Sequence, residues 1–202
     1  MSVRNNIEGV NGLYYITFTN YKWLHLFHRL NMYDEVYKWF NILEQKNETV
    51  TGYVIMPNHL HILMYHREEN GSINKIISNA KRFMTYEMVE RLKQKNDFAT
   101  LDLLSDGLSE REKKKGQLHR GFEESFDCKR CYTEKFIQQK LNYMHNNPIQ
   151  PKWNLCENAI DYEHSSAAFY SECNKKYKFN LRHYRAIQWE VEDSSITSTQ
   201  TQ

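Results

Sequence analysis

The feature that most restricts how this chain can fold lies between Thr49 and Tyr65. Thr49-Val-Thr-Gly-Tyr-Val-Ile-Met56 is rich in β-branched and aromatic residues, and His59-Leu-His-Ile-Leu-Met-Tyr65 continues that character. Pro57-Asn58 separates the two runs. Proline has no amide hydrogen to give to a central ladder, so a turn or a strand edge belongs there. In the second run the period of two puts His59 and His61 on one face, and Leu60 and Ile62 on the opposite face, toward a core.

The rest of the chain supplies partners for these strands. Leu13-Tyr-Tyr-Ile-Thr-Phe-Thr19 reads as an earlier strand. Tyr33, Val36, Phe40 and Leu43 keep helical spacing and predict a helix over 31–45, with Asn31 or Asp34 able to cap it. Ser72 is placed to cap a helix over 73–94, with Ile73, Ile76, Ile77, Ala80, Phe83 and Met84 along one side. Residues 95–116 are polar and irregular and read as a surface insertion. Another short strand is expected within 117–126. Thr133 opens a helix that runs to about residue 146, where Pro148 disfavours its continuation. Residues 192–202 read as disordered. The sum is an α+β chain, an antiparallel central sheet with helices packed on it. It is organised as one domain over 1–180, with the insertion inside it, and an extension over 181–202.

Charge does not announce a function. The 202 residues include 27 basic and 25 acidic side chains, a net charge of +2, which does not mark a nucleic-acid binder. Short runs such as Lys113-Lys114-Lys115 read by charge alone as solvated surface. No apolar run follows the basic N-terminal residues and no stretch is long enough to span a bilayer, so neither a signal peptide nor a membrane helix is expected. The expected location is cytoplasmic, at the nucleoid when bound to DNA. Cys128 and Cys131 form a C-x-x-C, but a structural zinc site would want a second pair of similar spacing, which Cys156 and Cys173 do not supply. All four read as reduced thiols, with zinc at the first pair left open.

Two pairs of residues carry chemical potential. Neighbouring imidazoles such as His59 and His61 can hold one divalent cation, although an isolated His-x-His is more often two ordinary histidines. Tyr143 and Asn147 are four apart near the end of the last helix and so share a face. Ile137, Leu141 and Met144 form that helix's apolar stripe, and Tyr143 lies off it, open to solvent or substrate. Read separately, Tyr143 is an amphipathic tyrosine and Asn147 a C-terminal cap.

Together, Met56-Pro-Asn-His-Leu-His61 and Tyr143-Met-His-Asn-Asn-Pro148, in this order with a helix between them, resemble the REP-associated branch of the HUH-type tyrosine transposases. Gly52-Tyr-Val-Ile-Met-Pro-Asn-His-Leu-His-Ile-Leu-Met64 is similar to the family's metal-binding strand and Leu141-Asn-Tyr-Met-His-Asn-Asn-Pro-Ile149 to its nucleophile helix. Asn79-Ala-Lys-Arg-Phe83 and Tyr162-Glu-His-Ser-Ser166 add support, so the resemblance covers residues 10–170. It implies a ferredoxin-like or RRM-like HUH nuclease fold. It implies that His59 and His61 are metal ligands completed by Asn147, that the metal is magnesium or manganese, and that Tyr143 attacks the scissile phosphodiester. It further implies that Lys81 and Arg82 face DNA, that the partner is single-stranded or hairpin DNA, and that the protein is a homodimer. Gly121-Phe-Glu-Glu-Ser-Phe-Asp127 departs from the family, which often carries a basic, aromatic segment there.

The implied activity is metal-dependent cleavage and rejoining of single-stranded DNA through a 5′-phosphotyrosine, at hairpin-forming repeats. A neutral phenol is a weak nucleophile and needs a polarised phosphate. The covalent intermediate keeps the bond energy for a free 3′-hydroxyl to reverse the step. Two alternatives stand beside this reading. One is a domesticated DNA-hairpin binder without transposition activity. The other is a metal hydrolase that uses water and has no need of Tyr143.

Overall fold

The computed structural model describes residues 9–171 and 176–187. In chain order its elements are β1 (Gly12–Thr19), α1 (Leu26–Arg29), α2 (Tyr33–Gln45), β2 (Thr49–Ile55), β3 (His59–His66), α3 (Ile73–Gln94), α4 (Phe98–Asp106), α5 (Glu110–Lys114), β4 (Asp127–Arg130), α6 (Glu134–His145) and α7 (Ala167–Tyr170). The four strands form one sheet in the order β2-β3-β1-β4, and every neighbouring pair is antiparallel. This is the β-α-β-β-α-β arrangement of a ferredoxin-like sheet. The expected α+β class, an antiparallel sheet with helices packed on it, is what the structure has.

Alternation along the strands divides the interior into two layers. Tyr14, Ile16 and Phe18 of β1 and Leu60, Ile62 and Met64 of β3 pack with α2 and α3 in the larger core, which also holds Phe40, Leu43, Ile77 and Met88. Leu13, Tyr15, Leu63 and Tyr65 face the other way. They meet Ile137, Leu141 and Met144 of α6, together with Tyr184 and Ile187. Leu181, Tyr184 and Ile187 are buried, so the start of the expected extension packs on the domain, and 192–202 lies outside the described residues.

A bulge in β2 keeps both layers supplied. Val50 pairs with Met64, but Gly52 pairs with Leu63, leaving Thr51 as the extra residue. Val50 therefore faces the larger core, and so do Tyr53 and Ile55 beyond the bulge. Gly52, Val54 and Met56 turn toward α6. A Cβ on Gly52 would stand 2.6 Å from Leu141 Cδ2, so the missing side chain is what lets α6 lie close on the strand.

Several expectations change. The segment 95–116 is not irregular. Asp97 and Ser109 cap α4 and α5, and Leu101 and Leu104 are buried in the larger core. Their apolar spacing is too short to stand out in a polar stretch, whereas the caps are local hydrogen bonds that any such segment can form. The strand expected within 117–126 is only an isolated bridge between Asn20 and Phe122, and the fourth strand lies at Asp127–Arg130. The N-cap of α2 is Met32, with no side-chain cap bond, rather than Asn31 or Asp34. Ser72 and Thr133 do cap α3 and α6. Phe83, expected on the apolar side of α3, is exposed. Cys128 packs against the larger core and Cys131 within the smaller one, on opposite faces of the sheet. That divergence, and burial that holds both thiols well above their usual range, disfavour a shared zinc ion.

Candidate active site

The site lies at the β3 N-terminus, under α6. His59 and His61 project from the sheet face that α6 covers, with ring centroids 4.7 Å apart. The stripe of Ile137, Leu141 and Met144 seats α6 on that face. Tyr143, one position before Met144, then falls beside the histidines, its ring edge-on to His61 at 5.6 Å. It is 57% exposed although it touches a buried imidazole.

Each histidine is oriented through Nδ1. The Asn58 side chain donates from Nδ2 to the Trp23 carbonyl at 2.9 Å, which leaves its oxygen to accept from His59 Nδ1 at 2.6 Å. With the proton on Nδ1, the His59 Nε2 lone pair is free. His61 Nδ1 lies 2.8 Å from the Tyr15 hydroxyl and 2.6 Å from that of Thr17, and either oxygen can accept its proton. His61 Nε2 is buried with no hydrogen-bond partner. Burial, helped by the Lys152 charge, lowers His59 to about 4, and burial also holds His61 well below the ordinary imidazole range. Both rings are therefore neutral near pH 7, as metal ligation requires.

An orphaned imidazole nitrogen beside a second ring with a free lone pair fits a divalent cation. Among the described residues no third His, Cys, Asp or Glu joins the pair. Asn147 is buried at the end of α6, where its Nδ2 donates to the Tyr143 carbonyl at 3.2 Å. No hydrogen bond joins it to either histidine. Its amide thus caps the helix.

Lys81 and Arg82 part company. Lys81 Nζ donates to the carbonyls of Glu123 at 2.9 Å and Ser125 at 3.0 Å, and burial lowers it to about 8. It bolts the 123–125 loop to α3, whereas Arg82 is exposed over Phe83. Two lysines that the sequence reading passed over stand nearer the histidines. Lys140 lies over the rings of Tyr15 and Tyr143, at 4.9 and 5.9 Å, and Lys152 over Trp153 at 5.6 Å. Trp153 in turn packs against His59 at 5.6 Å. Lys140 was findable, three residues before Tyr143 on one helix face. Tyr15 and Thr17 share a face of β1, but their pairing with His61 depends on strand order. For Trp153 and Lys152, on an irregular segment, no sequence signal was present.

The supporting motifs prove to be packing partners. His145 Nε2 lies 2.8 Å from Ser166 Oγ, which accepts from the Tyr53 amide at 2.9 Å. The Tyr162 hydroxyl donates to the Ile55 carbonyl at 2.8 Å. These contacts tie α6 and the segment before α7 to β2, fixing where Tyr143 stands.

The α+β architecture, a four-stranded antiparallel sheet with helices packed on it, is shared with a solved structure. That structure is a REP-associated tyrosine transposase bound to a REP hairpin, similar to this chain with a TM-score of 0.57 and 12% identity, over 90% of this chain and 92% of the other. At that identity the likeness shows the fold. No family model and no curated protein sequence matches the chain. Among the described residues, no helix is long and apolar enough to cross a membrane.

Proposed function

We propose that this chain is a metal-dependent endonuclease and strand transferase of single-stranded DNA, a transposase-type enzyme acting at hairpin-forming sequences through Tyr143. The observation that carries the reading is the placement of an exposed tyrosine against a buried imidazole whose Nε2 has no partner. The hairpin-bound neighbour of the same fold supports DNA as the substrate class.

In this reading His59, His61 and the Asn147 oxygen hold the cation. Bound magnesium or manganese would polarise the scissile phosphate and orient its oxygens. Asn58, Tyr15 and Thr17 keep the imidazoles in the ligating tautomer, the service that outer partners give to metal-bound histidines. Tyr143 Oη attacks phosphorus and a new O–P bond forms. The bond to the 3′ oxygen breaks, and that oxygen leaves as a hydroxyl carrying the proton the phenol lost. A different 3′-hydroxyl reverses the step and joins a new strand. Because the ligand set is neutral, the phosphate itself supplies the negative charge. Lys140 and Lys152 steady the backbone on either side, and Arg82 gives a more distant contact.

The test is incubation of labelled hairpin DNA and manganese with wild type and Tyr143→Phe, followed by denaturing electrophoresis. The reading expects a protein–DNA adduct in the wild type and none in the variant. Hairpin binding without an adduct would favour the binding protein. Cleavage unchanged in Tyr143→Phe would favour attack by water.

A further inference from the structure

Trp23 sits beside His59 in a costly conformation. Lys22 and Trp23 both have left-handed backbones, with φ of 51° and 58°, a region that side chains other than glycine seldom occupy. Two such residues in succession persist only where their surroundings enforce them. Here the Trp23 amide donates to the Asn20 carbonyl at 3.0 Å, the Lys22 amide to Glu123 Oε1 at 2.7 Å, and Asn58 grips the Trp23 carbonyl. The strain yields no burial, because the indole is 61% exposed. It yields position: the ring stands edge-on to His59, with centroids 6.3 Å apart. Asn58 is the link, since one amide orients the His59 imidazole and holds the Trp23 carbonyl.

We infer that Trp23 is a stacking platform for an unpaired base flanking the phosphodiester that Tyr143 attacks. The inference rests on the proposed single-strand chemistry and adds the element that presents the strand. An exposed indole offers a π-face to any base. Trp153, on His59 at 5.6 Å and carrying Lys152 over its ring, extends the aromatic surface and places a cation for the adjoining phosphate. Both aromatic rings thereby border one histidine, His59, next to the one that Tyr143 touches. Trp23 touches the substrate without joining the reaction, so its loss acts on binding before rate.

The test uses a Tyr143→Phe background, to prevent turnover, and hairpins with or without an unpaired tail. 2-Aminopurine is placed at each tail position in turn. The fluorescence of one position should be quenched on binding. Trp23→Ala should weaken the tailed hairpin about tenfold to hundredfold while leaving the tailless hairpin unchanged, and Trp23→Phe should recover most of the affinity. Trp23→Gly should bind as poorly as Trp23→Ala with a melting temperature no lower than the parent's. Equal losses on both hairpins, no loss on either, or a lower melting temperature for the glycine variant would overturn the platform. If Trp23→Ala binds normally while the protein with Tyr143 intact still forms its adduct, the platform alone falls. If the parent binds neither hairpin, the platform and the proposed function fall together.

Discussion

On one side of the sheet, α2 and α3 close over a core in which Phe40, Ile62, Ile77 and Met88 are wholly buried. On the other, α6 covers a smaller apolar patch and then runs past it, to where His59, His61, His145 and Asn147 are buried among polar partners. The first face is held by area removed from water, a term that tolerates no holes but needs little orientation. The second is held partly by directed hydrogen bonds, which orient side chains and leave some of them incompletely partnered. The faces can share a sheet because consecutive strand residues point to opposite sides, so His59 and His61 face α6 while Leu60 and Ile62 of the same strand enter the larger core. The lesson is that parity lets one strand, β3, serve the packed core and the candidate site at once.

That separation can be broken in graded ways. The largest effect is expected for His61→Ala, which should lower adduct formation about a thousandfold or more while leaving a cooperative thermal transition. Loss of the transition together with the activity would mean that the α6 face also carries the fold. Phe40→Ala, on the other face, should cost about 3–5 kcal/mol of stability in denaturant unfolding, with the adduct rate per folded molecule nearly intact. A matching collapse of rate would show the faces to be coupled.

An acid titration separates the faces by pH. Burial lowers His145 to about 4 from the ordinary 6.5, so the unfolded chain takes up this proton first. Its contribution is complete above about pH 6.5, falls as pH drops and is gone near pH 4, on the order of 3 kcal/mol. His145→Gln should flatten this slope in melting-temperature measurements. An unchanged slope would place the titrating groups elsewhere. The smallest effect is expected for Gly52→Ala, at about 1–3 kcal/mol, because Leu141 can partly rotate aside. Chemical denaturation would measure it, and a disproportionate fall in adduct yield would show that α6 has lifted Tyr143 away from His61.

What was legible in the sequence was what repeats. The strand at His59–His66 was readable because the alternation is strict and proline marks its start, and α6 because its stripe and cap agree. Pairing Tyr143 with His61 was expected from the resemblance of two motifs, not from spacing, since eighty-odd residues separate them and only tertiary packing joins them. α4 and α5 were missed because their few apolar residues lie in a charged background. Lys81 looked like a DNA contact because a basic residue on a helix is ordinarily solvated, and nothing local shows that three carbonyls will converge on it. The strain at Lys22 and Trp23 was equally hidden, since neither residue type advertises a left-handed backbone.

The bulge at Thr51 offers something that substitutions do not. Val50 and Gly52, pairing with Met64 and Leu63, already occupy successive rungs, so Thr51 can be deleted without exchanging the inside and outside of any other β2 residue. What would change is curvature, together with the hydrogen bonds that the Tyr170 hydroxyl makes to the Thr51 carbonyl and the Thr51 hydroxyl to the Leu63 carbonyl. The strand thus contains its own spacer, a shim whose removal straightens the seat of α6 while every facing side chain stays the same. In such a variant the shape of the seat and the chemistry it supports become independently adjustable.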